Sequence, residues 1–141
     1  MDQKDKHNKK KELGDQLEEL ADDFQLRILE AALKGDEDNF NVLFELGNAY
    51  TRAGRYEDGL RVDRKLTRLQ PANPIAHYNF SCSLSLLGKI DEALEELEKS
   101  FRLGYREYNH IVSDPDLDNL RRDRRFNELI ERYLSGERES D

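Results

Sequence analysis

The 141-residue sequence has no tryptophan, one cysteine, one methionine and three prolines. A lone Cys82 excludes an intramolecular disulfide and supplies no thiolate pair for a structural zinc site. It fits a reducing compartment, where free thiols persist. No apolar run reaches the roughly 18 residues that a membrane span needs, and the polar start lacks the apolar centre of a signal peptide. These absences read as a soluble cytoplasmic protein with no membrane role. Positive charge is also scarce where it would matter for nucleic acid. The net charge is −8, with +2 over residues 1–14, −7 over 15–105 and −3 over 106–141. An acidic body repels phosphate backbones, so no nucleic-acid partner is expected.

Catalytic and metal constellations are missing as well. His7, His77 and His110 are too far apart in sequence for a helical H-x₃-H pair, and none sits beside a cysteine or an acidic pair of ligand type. No glycine-rich loop is placed to cradle a phosphate, because the glycines at 35, 47, 54, 59, 88 and 104 read as helix breaks or close contacts. No nucleophile lies near a base. The chain is therefore read as a non-enzyme with no cofactor and no metal.

What is present is helical periodicity. Residues 1–12 are polar and lysine-rich and read as a flexible tail, with tethering to an acidic surface as the alternative. From Leu13 the apolar residues Leu13, Leu17, Leu20, Phe24, Ile28 and Ala31 recur at helical steps. They predict an N-terminal capping helix over 13–37, continuous or restarted at Asp22, that covers the next unit with this face and ends at Gly35. Leu43, Leu46, Gly47 and Tyr50 then share a face, Gly54 ends that helix, and Leu60, Leu66 and Leu69 mark a second helix before Pro71. The missing side chain at Gly47 lets the second helix approach closely, around Gly59. Asn73 and Pro74 start a new pair, since Asn caps a first turn and Pro needs no N–H there. Its faces are Phe80, Ser81, Leu84 and Leu87, then Ala93, Leu94, Leu97 and Phe101, with Gly88 between. Gly54 and Gly88 are 34 residues apart.

That period, with Leu43-x-x-Leu46-Gly47-x-x-Tyr50, Gly59 and Pro71, resembles the tetratricopeptide repeat (TPR), whose pattern is W-x₂-L-G-x₂-Y…A-x₃-F…P. The resemblance covers residues 40–105. Leu43 and His77 stand in place of Trp, Asp63 in place of Phe and Tyr105 in place of Pro. The second unit has Phe80-Ser81 for Leu-Gly and Leu84 for Tyr. Asp114-Pro-Asp-Leu-Asp-Asn-Leu-Arg-Arg-Asp-Arg-Arg-Phe126 is similar to a segment that ends many bacterial-type TPR chains. The resemblance implies an all-α superhelical solenoid of antiparallel helix pairs. Its units are 38–71, 72–105, and a truncated third repeat with a C-terminal capping helix over 106–134, followed by a tail over 135–141. Six or seven helices are expected in all.

The same resemblance implies a non-catalytic interaction module or adaptor, binding a peptide or helix of another protein in a concave groove. On the groove face it places Asn41, Phe44, Glu45, Asn48 and Arg52, then Ile75, Tyr78, Asn79, Cys82 and Leu86. From these we take Asn41, Phe44, Asn48, Arg52, Tyr78, Asn79 and Cys82 as the candidate peptide-binding residues. Asn48 and Asn79 can both donate to and accept from a peptide backbone. They also match two residues of the carboxylate clamp that chaperone-binding members use, but Phe44, Asn109 and Ser113 replace its Lys, Lys and Arg, which disfavours a chaperone tail.

Three further readings remain open at this stage. Asp63 interrupts an apolar face and either pairs with His77 or points to solvent while Val62 and Leu66 turn inward. The Arg121–Arg125 cluster either grips an acidic partner or is neutralised by Asp118, Asp123, Glu128 and Glu131. The alternative to peptide recognition is self-association, a homodimer through the solenoid faces.

Overall fold

The computed structural model describes residues 2–138, among which there are α-helices and no strands. The helices are α1 (Gln3–Gly35), α2 (Phe40–Arg52), α3 (Tyr56–Leu69), α4 (Pro74–Leu86), α5 (Ile90–Arg102), α6 (Tyr108–Ser113), α7 (Asp118–Arg121) and α8 (Arg124–Arg138). A 3₁₀ turn at Pro115–Leu117 links α6 to α7. The eight helices exceed the six or seven expected because the Asp114-Pro115 stop produces this turn and the four-residue α7 as separate elements.

Local chemistry sets the boundaries. Asn39 caps α2 by accepting from Val42 N at 3.1 Å, and Asn73 caps α4 by accepting from Ile75 N at 2.9 Å and Ala76 N at 3.3 Å, with Pro74 in the first turn. The chain leaves α2, α4 and α5 through Gly54, Gly88 and Gly104, with φ of +75°, +73° and +107°. Only glycine adopts that conformation without a Cβ penalty.

Two apolar clusters follow. Leu26 of α1 joins Leu43, Leu46, Ala49 and Tyr50 of α2, Val62 and Leu66 of α3, and Ala76. The larger cluster runs from Leu60 through α4 and α5 to Ile111, Leu117, Leu120, Phe126, Ile130 and Leu134. Leu69, expected on the inner face of α3, is instead exposed.

The N-terminal helix departs from expectation twice. Residues 3–12 are not a separate tail: α1 is a single helix from Gln3, capped by the Asp2 side chain, with no restart at Asp22. Lys, Gln and Glu are good helix formers, and lengthening an existing helix needs no new nucleus. The buried face also differs from the one expected. Leu26 is buried and Leu29 and Leu33 pack beside it, whereas Leu13, Leu17, Leu20, Phe24 and Ile28 are 52–65% exposed on the opposite side. Periodicity marks an apolar face without saying which neighbour takes it. At the other end, α8 includes residues 135–138 of the expected tail, and 139–141 lie outside the described residues.

The α2–α3 crossing is set by glycine. A Cβ added to Gly47 would lie 2.9 Å from Asp63 Oδ1 and 3.3 Å from Val62 Cγ1. One added to Gly59 would meet Thr51 Oγ1 at 3.3 Å and the Gly47 carbonyl oxygen at 3.7 Å. Gly47→Ala is expected to destabilise the protein by about 1–3 kcal/mol through overpacking, and Gly59→Ala by less, because its neighbours are farther and alanine favours the helix. Urea unfolding of both variants checks the order; equal midpoints would contradict this account of the crossing.

Candidate peptide-binding cleft

Helices α2, α4 and α6 present one side of the solenoid, and between them lies an open cleft of about 300 Å³. Asn48, Thr51 and Arg52 line it from α2, and Tyr78, Asn79, Cys82 and Ser83 from α4. Asp63 reaches it from α3, and His110, Asp114 and Asp116 come from α6 and the turn that follows.

A hydrogen-bonded floor holds these groups in place. Tyr78 OH donates to Asp114 Oδ2 at 2.7 Å, Cys82 Sγ lies 3.8 Å from the same oxygen, and His110 Nε2 is 3.3 Å from it. Asp114 Oδ1 accepts from Asp116 N at 3.0 Å, which caps the 3₁₀ turn. The Tyr78 ring stacks on Tyr105 with centroids 4.4 Å apart. Arg121 fixes the loop from behind, donating to the carbonyl oxygens of Ile111 at 3.0 Å and Asp114 at 2.6 Å.

The floor is acidic. Burial raises Asp63 to about 7, opposed by the hydrogen bond from Ser83 Oγ at 2.5 Å. Asp116 is raised by burial and then by the neighbouring carboxylates of Asp114 and Asp118. Burial, with Asp114 second, pushes the Cys82 thiol well above its usual range. Arg52 stands at the rim, where Nη2 donates to Gln25 Oε1 of α1 at 2.8 Å.

Of the seven candidate residues, Asn48, Arg52, Tyr78, Asn79 and Cys82 converge on this cleft, while Asn41 and Phe44 do not line it. Phe44 is half-buried and packs beside Phe40, ring centroids 6.2 Å apart, against the first apolar cluster. Tyr78 and Cys82 are buried, at 3% and 6% exposure, and form floor rather than free surface. Sequence reasoning does not place Ser83, His110, Asp114 or Asp116 here. The Asp114-Pro115 stop is visible in the sequence, but its position beside α4 depends on tertiary packing.

The Asp63–His77 pairing does not occur. Asp63 is bonded to Ser83, while His77 Nδ1 lies 2.6 Å from Glu96 Oε2 and its Nε2 lies 2.7 Å from the Pro71 carbonyl oxygen. Each residue has a nearer partner than the other. The Arg121–Arg125 cluster is largely engaged within the chain. Arg121 binds Asp118 and two backbone carbonyls, Arg124 lies 4.0 Å from Glu128, and Arg125 bridges Asp91 and Asp123.

Cys82, Asp114 and Asp116 bring possible ligand atoms within 4.8 Å of one another. Cys82 and Asp114 are buried and Asp116 half-buried, and Asp114 accepts from Tyr78 OH and from Asp116 N. Among the described residues, no helix is long and apolar enough to cross a membrane.

The antiparallel pairs and the 34-residue phase define the class: an all-α helical-repeat solenoid. No family model matches the chain. It is 30% identical over 90 residues, 62% of its length, to a chloroplastic protein of Arabidopsis thaliana. Over 83 residues, 59% of its length, it is 31% identical to Superkiller protein 3 of Saccharomyces cerevisiae. The chain spans only 27% and 6% of these two relatives. The solved structure of MamA MSR-1 C2 matches with a TM-score of 0.58 and 24% identity, over 79% of this chain and 69% of that one, a likeness of fold alone.

Asp63 gives the cleft a pH signature. Its carboxyl is raised from 3.8 to about 7 in the folded state, so the unfolded chain releases the proton first. Stability is therefore greatest below about pH 4 as far as this group is concerned, and falls by on the order of 2–4 kcal/mol as pH rises to about 7. Asp63→Asn keeps an acceptor for Ser83 and carries no charge. It is expected to flatten that decline and raise the melting temperature above pH 7; an unchanged pH slope in the variant would contradict the assignment.

Proposed function

We propose that this protein is a non-catalytic interaction module, or adaptor, that holds an extended segment of a partner protein in the α2–α4–α6 cleft. The observation that carries the reading is the pairing of two asparagines with an acidic floor. Asn48 and Asn79 line the cleft from adjacent helices, and neither side-chain amide is engaged in a hydrogen bond among the described residues. Each can meet a peptide N–H and C=O, which gives affinity with little dependence on side chain. Asp63, Asp114 and Asp116 then supply the selectivity. A cationic side chain entering between them relieves carboxylate repulsion, whereas a carboxylate would meet like charge. Arg52 is already bonded to Gln25, so an acidic tail has little to attract it. This charge pattern agrees with the absence of clamp cations at Phe44, Asn109 and Ser113.

The test is a library of short peptides of varied charge, scored for binding to the full chain. Peptides with a Lys or Arg flanked by small residues are expected to be retained and acidic peptides excluded. Asn48→Ala with Asn79→Ala should weaken retained peptides by roughly 10–30-fold, two hydrogen bonds' worth. Affinity should increase as pH rises through about 7, where Asp63 ionises, and this dependence should vanish in Asp63→Asn. Preference for acidic peptides, or affinity untouched by the paired Asn variants, would overturn the reading.

A further inference from the structure

The apolar stripe of α1 is unpartnered in the single chain. Leu13, Leu17, Leu20, Phe24 and Ile28 are 57%, 58%, 63%, 65% and 52% exposed, and they lie on the side of α1 opposite Leu26, which anchors the helix to the solenoid. Monomeric soluble proteins seldom leave a contiguous apolar patch of this size open. The five side chains expose on the order of 500 Å² per copy, so a symmetric pair would bury roughly 1,000 Å² before any flanking stems are counted, the lower bound for a specific interface.

We propose that this stripe is the seam of an antiparallel coiled coil with α1 of a second copy. The spacing is that of a heptad: Lys10, Leu17, Phe24 and Ala31 form one row and Lys6, Leu13, Leu20 and Arg27 the other. In an antiparallel pair one row faces the other. Leu17 then meets the partner's Leu20, and Phe24 meets the partner's Leu13, each contact repeated by the two-fold axis. Gly14 faces the partner's Ala21 on the flank, where small side chains let the backbones come close.

Charge chooses the orientation. Glu30 is turned toward the solenoid, 4.0 Å from Arg55, so the choice rests on the cations of the seam itself. A parallel pair would stack Lys6, Lys10 and Arg27 each on its own copy, three like-charge contacts. The antiparallel register has two, Lys10 against the partner's Arg27 and its symmetry mate, near the ends where long stems reach water. Asp15, Glu18, Glu19 and Asp22 fall on outward positions and do not meet across the seam. That acidic surface also repels an anionic membrane, which leaves a protein as the occupant.

Peptide recognition is independent of this pairing, because the stripe and the cleft share no residue. Sedimentation of the full chain is expected to show a species of twice the 16.6 kDa chain mass, populated increasingly up to about 100 µM. Leu17→Glu with Leu20→Glu changes only exposed positions and should raise the dimer dissociation constant by roughly 100-fold or more while cooperative unfolding of the solenoid persists. Lys10→Glu, which sets a carboxylate against the partner's Arg27 in the antiparallel pair but against its own copy in a parallel one, should tighten the dimer. A wild-type chain that stays monomeric at about 100 µM, or a leucine double variant that dimerises like wild type, would overturn the proposal. A Lys10→Glu variant that dimerises no more tightly than wild type would overturn the antiparallel register.

Discussion

The absence of a side chain at Gly47 is the constraint on which the rest depends. It lets α3 settle on α2 so closely that an added Cβ would stand 2.9 Å from Asp63. That approach carries the Asp63 carboxylate past α2 to Ser83 of α4, and so links the first helix pair to the second across the seam between the two apolar clusters. The cost is a buried carboxyl whose burial disfavours its charge. An apolar residue, as the repeat pattern prefers there, would pack the same crossing without that cost. What Asp63 adds is an ionisable group at the base of the cleft.

The C-terminal turn completes what α2 to α4 begin. Asp114 both caps the 3₁₀ turn and receives Tyr78, and Leu117 and Leu120 are fully buried beneath it. The segment from α6 to α8 therefore closes the solenoid's apolar end and furnishes two of the three acids of the floor, Asp114 and Asp116. Asn119 adds a bond from its amide to the Ser85 carbonyl oxygen at 2.9 Å, satisfying an end group of α4. The same residues close the fold and line the cleft, which ties the geometry of the cleft to the stability of the cap.

Much of the helix order is legible in the sequence because its signals are local. Asn73-Pro74, the glycines at 54, 88 and 104, and the Asp114-Pro115 stop act within a turn of their own position. The buried face of α2, Leu43, Leu46, Gly47 and Tyr50, is legible for the same reason, whereas Asn41 and Phe44, expected on its other face, do not line the cleft. Three things are not legible. The inner face of α1 cannot be read from periodicity, because the stronger apolar stripe faces away from the solenoid and a weaker one, Leu26, Leu29 and Leu33, faces in. The helical state of residues 3–12 follows from propagation along α1 rather than from any apolar face of their own. The partners of Asp63 and His77 depend on the rotation of α4 relative to α3 and α5, which no short-range pattern fixes. The cleft is half visible: Asn48 and Asn79 can be placed by phase, but the acids opposite them arrive from residues 110–116.

Two surfaces thus have distinct chemistries. The cleft is concave, amide-lined and acidic, while the α1 stripe is apolar. The central claim is that recognition occurs in the cleft, and backbone amide shifts in nuclear magnetic resonance spectra, followed as a lysine-containing peptide is titrated into the full chain, test it most directly. The account predicts that the largest shifts fall at Asn48, Asn79, His110 and Asp116. Shifts confined to α1 or to the outer faces of α3 and α5, with those four amides unmoved, would contradict it.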